Sequence, residues 1–178
     1  MKKKILSLAL VIIFSILLCS CSGKSPDKMF GVKLPSGEKL ELYMSRDKVE
    51  EIMSSYDYDY NSERCIYDYD FIRLAYTDGL LSYFYISGDD NGITLLNGLG
   101  FGSTDYEKYG FQSEGLRSIV DYKLSNGKYE QTEQINFQEI DVEYKEYIQT
   151  YVIIDKATNE VHDICIADAY AIMGNMDK

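Results

Sequence analysis

The sequence predicts an α+β chain in which a helix followed by an antiparallel meander occurs twice. Three observations carry that reading: a capped amphipathic stretch from Ser45 to Met53, period-two alternation with an Asp-Gly pair between Tyr56 and Ile86, and the return of the same order after Ile93. The first unit spans residues 31–92 and the second 93–178.

A leader lies ahead of both. Lys2 to Lys4 precede a predominantly apolar, uncharged run from Ile5 to Leu18, the charged and hydrophobic regions of a secretory signal. The run falls short of the roughly 20 apolar residues that a bilayer core asks of a spanning helix. Closing it, Leu18-Cys19-Ser20-Cys21-Ser22 resembles the lipobox of bacterial lipoproteins, with leucine three before Cys21 and a small serine just before it. That resemblance implies removal of residues 1–20, a diacylglyceryl group on the Cys21 sulfur, and a tether over 21–30. The domain is then expected on the extracytoplasmic face of the cell membrane. Two acyl chains hold firmly, because each buried methylene contributes about 0.8 kcal/mol and one chain alone binds marginally.

Loss of residues 1–20 removes three lysines and no acid, so the formal charge moves from -11 to -14. Phosphate backbones and anionic headgroups repel such a surface, which disfavours nucleic acid as a partner and holds the body off the membrane. Cys65 and Cys165 remain in the exported part. Oxidation outside the cell allows them to pair, whereas spacing along the chain leaves their approach to bridging distance open.

In the first unit, Gly31 to Lys39 reads as a strand and turn. Ser45 is placed to cap a helix, Asp47 favours its positive end, and Val49, Ile52, Met53 and Tyr56 recur at helical spacing. Tyrosines then alternate with aspartates through Tyr60, and again from Ile66 to Phe71, at the period of strands. Phe71 to Tyr76 meets Leu80 to Ile86 across Thr77-Asp78-Gly79, where Asp and Gly tolerate the positive φ of a tight hairpin.

In the second unit, Ile93 to Leu96 lead through Gly98, Gly100 and Gly102 into Ser103 to Gly110. This segment repeats the serine cap, the early aspartate, the apolar pair three apart and a closing glycine, and predicts a second, shorter helix. Ile119 to Leu124, Ile140 to Tyr144 and Tyr151 to Ile154 read as strands, and Val161 to Ile166 closes a hairpin over Ala157-Thr158-Asn159. Leu81, Phe84 and Ile86 share the relative spacing of Val161, Ile164 and Ile166. The acidic stretch Glu130 to Glu146 has no counterpart in the first unit.

The Ser45 to Met53 and Gly98 to Gly110 segments, with the two meanders, resemble the tandem repeat of beta-lactamase-inhibitor-protein-like domains. Single repeats of that fold occur in small lipoproteins of the outer-membrane assembly machinery. The resemblance covers residues 40–168. It implies a twisted antiparallel sheet with helices packed on one face and an exposed concave face that engages other proteins. It carries over no catalytic residue, because that family has none.

Residues able to do chemistry are sparse. His162 is the one histidine, in a strand that points it away from Val161, and spacing identifies neither an orienting carboxylate nor a nucleophile for it. Asp89-Asp90-Asn91-Gly92 lacks the ligand order and distant glutamate of a calcium loop and reads as a turn. Asp57/Asp59 and Asp68/Asp70 read as solvated strand faces, so neither metal nor cofactor is expected. Tyrosine stands out, with 17 residues and no tryptophan. Tyr56, Tyr58, Tyr60, Tyr67 and Tyr69 form the candidate interaction surface, since tyrosine suits protein interfaces and stacks on sugars. The function expected is a non-catalytic, membrane-tethered interaction module with a protein partner in the cell envelope. Binding of cell-wall glycan through the same tyrosines is the alternative, and an envelope hydrolase the third reading.

Overall fold

The computed structural model describes residues 26–87 and 92–177. Cys21, the leader and residues 89–91 of the aspartate turn lie outside the described residues. Along the chain the strands are β1 (Gly31–Lys33), β2 (Lys39–Glu41), β3 (Asp59–Asn61), β4 (Ile66–Tyr69), β5 (Ile72–Thr77), β6 (Leu80–Ile86), β7 (Thr94–Leu95), β8 (Gln112–Glu114), β9 (Arg117–Ser125), β10 (Lys128–Thr132), β11 (Tyr147–Asp155) and β12 (Glu160–Asp168). Helix α1 (Arg46–Met53) follows β2, and a one-turn helix α2 (Ala169–Ile172) follows β12.

The fold is mostly β, with strand at 44% against 12% helical, which corrects the expected α+β class with helices packed on one sheet face. The physical reason lies in the second predicted helix. Ser103 to Gly110 is bracketed by Gly102 at φ 74° and Gly110 at φ 87°, and only Tyr106–Tyr109 coils between them, as a 3-10 turn. Helix nucleation is unfavourable and so short a segment cannot offset it. Ser103 is used otherwise, its Oγ accepting from Gly100 N at 3.2 Å. The first predicted helix does form as α1. Ser45 occupies its N-cap with extended backbone, yet makes no side-chain capping bond.

One large antiparallel sheet runs β10-β9-β11-β12-β6-β5-β4-β3, with β8 beside β9, and a small sheet runs β2-β1-β7. A single core lies between these layers. Leu81, Phe84 and Ile86 of β6 and Val161, Ile164 and Ile166 of β12 meet Val32, Leu40 and Leu95 of the small sheet, joined by Val49 and Met53 of α1. Alternation aims these side chains one way, and Phe84 and Ile164 reach 0% exposure. Truncating Phe84 to alanine at such a site costs about 3–5 kcal/mol. Met29 and Phe30, at the end of the expected tether, are buried too, and Phe30 meets Tyr122 and Tyr129 edge-on at 5.0 and 5.2 Å.

Further segments differ from expectation in the second half. Ile140 to Tyr144 is not a strand: residues 133–146 cross the outer face of the large sheet, where Ile135 and Val142 pack on Phe137 and Tyr147. Their apolar spacing serves that patch rather than a ladder. Strand β10 was not expected, and Asn126 (φ 51°) with Gly127 (φ 78°) makes the tight turn into it. Among the described residues no helix is long and apolar enough to cross a membrane.

Where β12 passes into α2, the fully buried Asp168 carboxylate accepts from Tyr170 N (2.8 Å), Lys145 N (2.9 Å) and Tyr43 Oη (2.7 Å). Burial pushes this carboxyl above its ordinary value, against the opposing pull of those donors.

Candidate functional site

Strand β3 ends the large sheet, and its three residues are all exposed. Its inner side pairs with β4, placing Tyr60 opposite Tyr67 and Asp59 opposite Asp68. Among the described residues no strand pairs with its outer side. Such an edge presents unpaired backbone N–H and C=O groups, a template for an added strand.

Four of the five predicted tyrosines converge here. The Tyr60 ring lies 4.6 Å from that of Tyr67, and the Tyr58 ring lies 5.3 Å from both Tyr67 and Tyr69. They divide by burial: Tyr67 (8% exposed) and Tyr69 (3%) belong to the core, whereas Tyr58 (50%) and Tyr60 (39%) stand out from it. Burial pushes the Tyr69 phenol up to about 12, so it stays neutral. Arg46 of α1 fixes the layer beneath, donating to Tyr67 Oη at 2.5 Å and stacking 4.9 Å above its ring while Glu50 holds its Nε. Tyr56 lies apart from the four and meets Phe71 edge-on at 4.9 Å.

Beside the tyrosines lies a shallow polar cleft lined by Asp57, Asp59, Asp68 and Asp70. Asp68 is engaged by Arg73 at 2.9 Å. Among the described residues no group of three or more His, Cys, Asp or Glu is disposed to hold a metal ion. The edge therefore combines exposed aromatic rings, negative charge and open backbone.

No protein-family model, curated protein or solved structure matches this chain. Chemistry and geometry must therefore carry the functional reading.

His162 is 55% exposed and sits 3.2 Å from Asp163 Oδ1 through its Nδ1. It is the extra residue of a β-bulge, skipped where Ile153 pairs with Asp163 and Ile154 with Val161. It lines neither the aspartate cleft nor the cavity described next.

A cavity of about 470 Å³ lies on the outer face of the large sheet, opposite the core. Tyr83, Cys165, Tyr151, Gln149 and Arg117 contribute from adjacent strands, residues 63–65 with Ile66 at the start of β4 form one wall, and Ala171, Ile172 and Met176 form the other. Cys65 and Cys165 both line it and both are free thiols. Sequence reasoning missed this site. The second-face alternation Tyr147, Gln149, Tyr151 along β11 was the signal that a sheet face without long helices over it carries its own pattern.

Proposed function

We propose that the chain is a non-catalytic interaction module of the bacterial cell envelope, lipid-tethered through Cys21, whose β3 edge takes up an extended segment of a protein partner. The observation that carries this reading is the pair of exposed rings, Tyr58 and Tyr60, packed at a tilt on buried tyrosines along an unpaired strand edge. Edge addition draws affinity from main-chain hydrogen bonds and specificity from the side-chain sites alongside. The aspartate cleft next to the edge favours a segment bearing Lys or Arg. Tyrosines already packed on neighbouring rings lose little conformational entropy on binding, which suits an anchor residue.

The test is capture by the full-length protein from detergent-solubilised membranes. A defined envelope protein is expected to co-purify, and Tyr58→Ser with Tyr60→Ser to reduce its recovery at least about tenfold, the scale of losing one anchor residue. Recovery unchanged by the double substitution would remove the β3 edge as the site. Retention by peptidoglycan stripped of protein, lost in the same variant, would instead establish glycan binding. Cys21→Ser is expected to release the protein from the membrane fraction. If it remains there, the lipid tether is wrong.

A further inference from the structure

We infer that the outer-face cavity is a binding site for a small organic anion with an apolar body, a carboxylate being the simplest head group. Nothing in the proposed edge interaction requires it, because the cavity and the tyrosine ladder lie on opposite faces of the sheet.

Charge is the first argument. Asp and Glu outnumber Lys and Arg by 29 to 18 in this chain, so a surface arginine ordinarily finds a carboxylate. Arg64 and Arg117 both line the cavity, and neither forms an ion pair among the described residues. Among the described residues a single carboxylate, that of exposed Glu63, lines it with them. Two guanidinium groups with no ion pair among the described residues thus face one concavity. Arg117 is also positioned, its guanidinium carbon 5.1 Å from the centre of the Tyr151 ring, and a guanidinium presents a planar donor fork that matches a carboxylate.

The remaining surface is suited to an apolar body. Ile66, Ile172 and Met176 face the tyrosine rings across a volume within the range of small-molecule sites. Burial pushes the Cys165 thiol up to about 12, which keeps it neutral in the floor. The wall formed by the C-terminal segment is fastened in place. Asp177 accepts through both carboxylate oxygens from Asp78 N (2.9 Å) and Gly79 N (2.7 Å), and Thr77 Oγ1 donates to Asn175 O at 2.9 Å. A cavity held open in this way does not have to be ordered when a ligand enters.

The experiment titrates the full-length protein, in lipid nanodiscs with empty discs as blank, against 2-naphthoate, 2-naphthylmethanol and 2-naphthylmethylamine, following quenching of tyrosine emission. Saturable binding of naphthoate is expected, with the amine at least about tenfold weaker. Arg117→Gln should weaken naphthoate at least about tenfold, the loss of one charge-assisted hydrogen bond, while leaving the neutral alcohol within about twofold. Tyr58→Ser should leave naphthoate binding unchanged. No saturable binding, equal binding of amine and carboxylate, or a naphthoate affinity indifferent to Arg117→Gln would each overturn the inference. None of these results touches the reading of the β3 edge, because Tyr58 and Tyr60 line no part of the cavity.

Discussion

Cys165 stands directly opposite Tyr85 across the β6–β12 pair, and the residues flanking them exchange places, Ile164 facing Ile86 and Ile166 facing Phe84. A local two-fold relation follows, in which Phe84 corresponds to Ile164 and Ile86 to Ile166. The bulges obey it as well. Ser82 is skipped between the pairs Ala75–Tyr83 and Tyr76–Leu81, and His162 is skipped at the corresponding place in the partner hairpin. Equal bulges add equal local twist, so the two hairpins coil alike about their shared border. The helical segments do not share the relation, being eight residues in α1 and a four-residue 3-10 turn at Tyr106–Tyr109.

Deletion of His162 should therefore cost somewhat more than its substitution. His162→Ala removes a mostly exposed ring and should change stability by no more than about 0.5 kcal/mol in urea melts. Removing the residue outright leaves Val161, 2% exposed, next to Asp163 and still opposite Ile154 on the core face, so what is lost is the bulge's twist, at a cost of about 1 kcal/mol. Equal effects of the two changes would mean that the bulge has no structural role.

Thr150 is fully buried in β11, and its Oγ1 has no hydrogen-bond partner among the described residues. Thr150→Val keeps the branched shape and removes a desolvated hydroxyl, so the variant should be more stable by about 1 kcal/mol. Differential scanning calorimetry checks this through a raised Tm.

Tyr43→Phe should destabilise by about 1.5–3 kcal/mol. The lost hydroxyl donates to buried Asp168 Oδ2 and lies 3.0 Å from Tyr129 Oη, so its removal strips a donor from a carboxylate shielded from water. Chemical denaturation of the variant, with Tyr129→Phe as comparison, measures the effect.

Asp168 also makes a prediction about pH. Its folded-state value is raised above the unfolded one, chiefly by burial, so its contribution is full below the unfolded value of about 4 and is lost as pH rises through the folded value. Asp168→Asn abolishes that dependence. The Tm of the wild type minus that of the variant should therefore be largest near pH 4 and shrink toward neutrality. General relief of negative charge on acidification acts on both proteins and cancels in the difference. A difference that grows with pH would reverse the assignment.

Local signals in the sequence are decisive where they are complete. Asp78-Gly79 placed a hairpin whose second strand, Leu80–Ile86, has the expected bounds, and both residues take positive φ. Asn126-Gly127 carries the same signal, and β10 was legible from it, but the acidic run that follows drew the reading away from a strand. Ser103 to Gly110 misled because capping residues mark where a helix begins and ends without supplying the length that stabilises one. The tyrosine alternation correctly put Tyr60, Tyr67 and Tyr69 on one face. It could not tell which strand would lie at the edge, and that alone separates exposed Tyr60 from buried Tyr67. The cavity was out of reach for a related reason: Arg64, Arg117, Tyr151 and Met176 come from distant parts of the chain, and only sheet order brings them together.

Phe30, the last residue of the expected tether, is wedged against Tyr122 of β9 and Tyr129 of β10, at the far end of the sheet from β3. Seven inter-strand steps separate β10 from β3, roughly 34 Å at the usual spacing. A lipid on Cys21 would thus pull on one end of a stiff β platform and leave the tyrosine edge at its opposite extremity. Under the proposed tether and docking edge, such a lever would give a docking strand reach above the bilayer.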